Sequence, residues 1–133
     1  MTRRELVPDF KRILATRVVA TPKAIESADW QKSDIVLPLA KDEVLVLGKV
    51  DLNDINDPHA LVVPDSEFVG TWVASNEAMK LLERTCSWKL PINRPAFAQG
   101  AIAEIPVKLW FEKDRVLILT PGPYAIDLEE RLS

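Results

Sequence analysis

Residues 70–110 read GTWVASNEAMKLLERTCSWKLPINRPAFAQGAIAEIPVKLW, and their pattern decides the fold. Trp72 and its neighbours end a β-rich run at a small-residue step, Ala74-Ser75. Met79, Leu82 and Cys86 then recur at spacings of three and four, with Leu81 and Thr85 flanking. Glu77, Lys80, Glu83 and Arg84 take the other side. That is an amphipathic helix of about three turns. Ser75 offers the hydroxyl an N-cap needs, and Ala78 stands where a reciprocal capping box would require Glu or Gln. Pro91 and Pro95 bound a rigid connection. Phe97-Ala98-Gln99-Gly100 then reads as a turn into one long strand, Ala101 to Phe111, whose side chains alternate. Pro106 inside that strand predicts a bulge or an exposed edge.

Working outward, Glu112-Lys113-Asp114-Arg115 is a polar hairpin turn and Val116 to Leu119 its partner strand. Pro121-Gly122-Pro123 stops that strand, and Tyr124 to Leu132 carries Ile126, Leu128 and Leu132 on a closing helix. Upstream, Glu67–Ala74 and Ala60–Val63 are strand candidates, while DLNDINDP (residues 51–58) is a turn region with Asx side chains able to bond nearby backbone. Ile35–Leu39 and Val44–Leu47 form a predicted hairpin. Pro38 puts the first run at an edge, and the wholly apolar second run implies burial on both faces. Val18 to Lys32 reads as loop with a short helical turn at Lys23–Ala28. Leu6, Val7, Phe10, Ile13 and Leu14 place an apolar stripe on an N-terminal helix from Arg3 to Thr16. The pattern is an α+β domain: one mostly antiparallel sheet with helices packed on one face.

The chain has 133 residues, 47% of them hydrophobic and 28% charged, which fits one soluble domain spanning residues 1–133. A net charge of -3 argues against a nucleic-acid partner, which would require a concentrated basic surface. Arg3, Arg4, Lys11 and Arg12 read as the solvated face of the first helix. No run of about 18 apolar residues predicts a membrane span, and no signal-peptide core stands at the N-terminus. A single cysteine, Cys86, allows no internal disulfide; a cytoplasmic protein is expected.

Catalytic chemistry is hard to find. His59 is the only histidine, in a loop with no nucleophile elbow nearby. Asp51, Asp54 and Asp57 lack the glycine and closing glutamate of a calcium loop, and one His with one Cys does not make a zinc site. Cys86 lies at a helix C-terminus on the apolar face, where the dipole disfavours a thiolate; it reads as a structural thiol. Four glycines form no phosphate-binding loop. Gly100 is expected at a strand entrance in a conformation that a Cβ would forbid. Of the four tryptophans, Trp72 and Trp110 are placed in or at the edge of the core, and Trp88 either in the core or at a partner interface.

The run from Ala74 to Pro91, followed by Phe97-Ala98-Gln99-Gly100 and the strand bearing Val107, Leu109 and Trp110, resembles the γ subunit of heterotetrameric sarcosine oxidase. That family is related to the aminomethyltransferase (glycine-cleavage T-protein) fold. Ala78, Leu81, Leu82 and Cys86 match its helix, Ser87 and Leu90 the step that follows, and Asp42–Val46 an earlier strand. The resemblance runs over about residues 35 to 132 and is densest from 72 to 110. Residues 1–33 lie outside it, and Asp51–Ser66 departs from the pattern.

The resemblance implies the folate-binding-domain type of fold and a non-catalytic accessory subunit in sarcosine and one-carbon metabolism. Its partners would be larger flavin-binding subunits. FAD, FMN, NAD and tetrahydrofolate would be held by those partners, and none by this chain. Cys86, Phe97, Gly100 and Trp110 are then structural landmarks. The alternatives are a homo-oligomeric structural domain and a stand-alone folate-binding domain. The latter would use Asp65, Glu67 or Glu104 to hold the pterin.

Overall fold

A computed structural model describes residues 9–30 and 35–133. The chain divides into two compact units, Ile13–Ser66 and a second formed by residues 9–12 with Glu67–Ser133. Among the described residues the strands form two antiparallel sheets, one in each unit, with few helices. The α+β class is therefore observed, with two sheets in place of the single one expected.

The N-terminal helix is a second departure. Arg3, Arg4, Leu6 and Val7 lie outside the described residues. The described part of the stretch holds two strands and no helix, β1 (Lys11–Arg12) and β2 (Ala15–Val19), and β2 also occupies the start of the region read as loop. Thr16, Val18 and Val19 are β-branched, and β2 is paired on both edges, so tertiary pairing overrides a short helical period.

In the first unit the sheet order is β3-β4-β2-β5, with β3 at Ile35–Ala40, β4 at Glu43–Leu47 and β5 at Leu61–Asp65. The hairpin β3–β4 forms as the sequence predicts, with Pro38 in an edge strand and a register shift between Pro38 and Ala40. Val44, Leu45 and Val46 are buried. Helix α1 (Pro22–Ser27) starts at Thr21, whose side chain accepts from the Ala24 N–H at 3.2 Å, with Pro22 in the first turn. It sets Ala24 into a cluster with Val18, Val44 and Val46.

In the second unit the sheet order is β1-β6-β9-β8-β7. Strand β6 is Phe68–Ala74, β7 Ala96–Ile102, β8 Ile105–Phe111 and β9 Arg115–Pro121. The segment expected as one long strand is thus a hairpin, and the Phe97–Gly100 turn lies inside β7. The chain reverses at Ala103 and Glu104, whose φ values are 47° and 69°. A two-residue reversal of this hand normally takes Asn-Gly or Gly-Gly, and its absence explains why the sequence reads as continuous strand. Pro106 makes no bulge; it lies beyond the β8–β9 pairing, which begins at Lys108. Its carbonyl accepts from the buried Thr120 hydroxyl at 2.9 Å.

Helices α2 (Ser75–Thr85) and α3 (Ala125–Leu132) cover one face of this sheet. Ala78, Leu81 and Leu82 from α2 and Leu128 and Leu132 from α3 meet Val107, Leu109, Phe111, Val116 and Ile118. Ser75 is not the N-cap. Ala74 holds that position without a side-chain bond, and Ser75 is already helical. Its N–H donates to the Asp114 carbonyl at 3.0 Å, and its hydroxyl to the Lys113 carbonyl at 3.2 Å.

The left-handed reversal at Ala103-Glu104 is held by the Thr85 carbonyl, which accepts the Ala103 N–H at 2.9 Å, and by Arg131, which donates to the Ala103 carbonyl at 2.6 Å. Replacing these two residues with Asn-Gly (A103N/E104G) removes the backbone penalty and keeps both bonds. It is expected to raise stability by about 1 kcal/mol, measured as the shift of the urea midpoint.

Candidate partner interface

Two tryptophan arrangements organise the second unit. The first follows α2. Cys86 ends the helix, its N–H bonded to the Leu82 carbonyl, and its half-buried thiol lies 3.3 Å from the Trp88 carbonyl. The Trp88 indole then lies over Gly100. A Cβ there would stand 2.8 Å from Cε2 of the ring. The glycine is therefore required by a close approach, and its φ is not in the left-handed region. Trp88 Nε1–H donates to the Ala101 carbonyl at 2.8 Å, satisfying an acceptor on β7, which is an edge strand among the described residues. The indole is half-buried.

The second arrangement was not legible as a site. Register places Trp72 opposite Leu117, Leu117 opposite Trp110, and Trp110 opposite Phe97. This row lies on the sheet face away from α2 and α3. Leu117 is fully buried, whereas Trp72, Trp110 and Phe97 are each half-buried. Arg115, two residues before Leu117 on the same face, lays its guanidinium over the Trp72 ring, 3.6 Å from the centroid. Its Nε–H donates to Glu112 Oε1 at 2.8 Å, while Glu112 Oε2 accepts the Trp110 Nε1–H at 2.9 Å. Burial pushes the Glu112 carboxyl upward, but the bonds from Arg115 and Trp110 and the Arg115 charge outweigh it and leave the pKa below its ordinary value. The local signal was Trp110-x-Glu112-x-x-Arg115; Trp72 comes from a distant strand, so only the sheet register joins it to them.

The remaining candidates are engaged locally. His59 is exposed in a turn, its N–H bonded to Asp57 Oδ1 at 2.9 Å. Asp57 Oδ2 accepts the Thr21 N–H, and these two backbone donors lower the Asp57 pKa. Asp51 accepts from Asn53 N–H. Asp65 is buried at the end of β5, 3.5 Å from Arg17 Nη2. Arg17 Nε lies 3.2 Å from Glu43 Oε2 but is not aligned as a hydrogen bond to it. Glu67 begins the other unit and accepts the Gly122 N–H at its backbone carbonyl. Glu104 stands at the β7–β8 turn, 92% exposed, 3.8 Å from Arg131. Among the described residues no three His, Cys, Asp or Glu side chains cluster as a metal site, and no helix is long and apolar enough to cross a membrane.

No family model matches the sequence, and no curated protein matches it. A solved structure does. A chain of the heterotetrameric sarcosine oxidase from Corynebacterium sp. U-96, solved in complex with pyrrole 2-carboxylate, aligns with a TM-score of 0.72. The alignment covers 92% of this chain and 79% of that one, at 15% identity. The two chains share a fold. The α+β architecture with antiparallel sheets is therefore related to that of sarcosine oxidase, although 15% identity carries the fold alone.

Two variants test these arrangements. G100A forces the Trp88 indole off β7 and is expected to destabilise the protein by about 1–3 kcal/mol, with a red shift in tryptophan emission. E112Q removes a carboxylate whose pKa folding lowers. Its contribution is complete above the ordinary carboxylate range and is lost as pH falls through the depressed value. The melting-temperature gap between wild type and E112Q should therefore be widest near neutrality and close on acidification.

Proposed function

We propose that this chain is a non-catalytic accessory subunit of a cytoplasmic heterotetrameric sarcosine oxidase or a related flavin-dependent amine dehydrogenase. The observation that carries the reading is the fold shared with a chain of such an oxidase over 92% of this chain's length. The γ-type motifs, Ala78, Leu81, Leu82 and Cys86 on the helix and Phe97, Ala98 and Gly100 after it, add independent sequence support. In this reading the flavins, NAD and tetrahydrofolate belong to larger partner subunits. The chain contributes a rigid surface that stabilises them by binding only their folded state.

The test is co-expression of the tagged chain with the flavin-binding subunits of a heterotetrameric sarcosine oxidase. Flavin absorbance should co-elute with the chain in fixed stoichiometry, and the flavoprotein should melt at a higher temperature in its presence. A chain that elutes alone would overturn the reading. Thermal stabilisation of that lone chain by tetrahydrofolate would assign it instead to a stand-alone one-carbon-binding domain.

A further inference from the structure

We propose that Arg115, stacked on the Trp72 indole and tied to the Trp110 indole through Glu112, is the docking point for an aspartate or glutamate side chain of the flavin-binding partner subunit. The proposal rests on the accessory-subunit reading and names where on this chain the partner is held.

The guanidinium is fixed on two sides. Its flat face lies on the Trp72 ring, and its Nε–H is held by Glu112 Oε1. Glu112 is in turn pinned by Trp110 through its second oxygen. Among the described residues nothing bonds the two Nη groups, and the side chain is 48% exposed. An arginine held in this way presents a planar fork of N–H donors whose orientation is already set. That geometry matches a carboxylate approaching in the guanidinium plane.

The surroundings favour a protein side chain. Trp72 and Trp110 flank Leu117 on neighbouring strands, so their backbones lie about 10 Å apart. The half-buried indoles give the cation an apolar border, the combination of arginine and tryptophan that concentrates binding energy at interfaces. The platform is also stiff. The turn after Glu112 closes with the Glu112 N–H on the Arg115 carbonyl at 2.8 Å, and its Lys113 and Asp114 carbonyls are both taken by Ser75 at the start of α2. Little conformational entropy remains to be lost when a partner binds. Glu112 supplies a negative edge beside the cation, so an incoming carboxylate is directed to the Nη side, where charge is complementary.

The experiment measures the affinity of the full-length chain for the purified flavin-binding subunits of a heterotetrameric sarcosine oxidase by biolayer interferometry. R115A should weaken binding about 10- to 100-fold. R115K, which keeps the charge and loses the planar fork, should fall between R115A and wild type. Raising salt should weaken wild type more than R115A. Circular dichroism checks the fold of each variant, and R115Q, which keeps much of the stem over Trp72, replaces any variant that fails to fold. If wild type binds and R115A binds within twofold of it, the docking point is wrong and the accessory-subunit reading stands. If wild type does not bind, both fall.

Discussion

From Val116 to Leu119, strand β9 has no polar side. Val116, Leu117, Ile118, Leu119 and Thr120 are all buried, and a strand with both faces apolar is stable only when strands flank it and both faces are covered. Each large side chain removed from water contributes about 1.5–3 kcal/mol, so this run concentrates much of the driving force of its unit. Strands β6 and β8 occupy its edges, and Val116 and Ile118 draw α2 and α3 onto one face. Leu117 and Leu119 point to the opposite face, which is why that face carries the tryptophan row and not a solvated strand surface.

Helix α2 is the second organising element, because its two ends secure the two turns at either end of β8. Its first N–H is given to Asp114 in the β8–β9 turn, and its last-turn carbonyl at Thr85 accepts from Ala103 in the β7–β8 turn. Eleven residues of helix span about 16 Å, and seven residues of strand about 23 Å; the dock therefore runs along most of β8. The groups that helix ends ordinarily leave unsatisfied become tertiary bonds. This explains why Ser75 gives its hydroxyl to Lys113 and does not cap its own helix. It also explains how a turn of Ala and Glu, without glycine, holds positive φ at both positions: the helix and Arg131 supply the bonds that fix it.

What the sequence made legible followed periodicity. The α2 stripe, the β3–β4 hairpin, β6 and β9 each carry a strong local pattern, and each forms near its expected position. The losses occur where local signal and tertiary environment disagree. Phe10, Ile13 and Leu14 match a helical spacing, yet the described residues around them pair as strands. Ala103 and Glu104 carry no turn residue, so two strands read as one. Gly100 reads as constrained, but the constraint comes from Trp88, twelve residues earlier, and not from its own backbone. Arg115 sits in a turn that reads as solvated polar loop. Its stack on Trp72 depends on β6 and β9 being neighbours in a particular register, which no local pattern encodes.

The same distinction bears on function. Among the described residues, several titratable groups hold local structure together: Asp57 and Asp51 brace loops, Asp65 faces Arg17, and Glu112 is shared by Arg115 and Trp110. Recognition of a protein partner asks for less convergence and more rigidity. It needs an oriented charge, an apolar border and a support that does not move. The proposed docking point, Arg115 over the Trp72 ring, lies at the end of the sheet where α2 begins, and the bonds that close the β8–β9 turn also fix its backbone. The folding constraint on β9 therefore also places Arg115: the strand is buried from Val116 to Thr120 and carries the exposed arginine at its first residue.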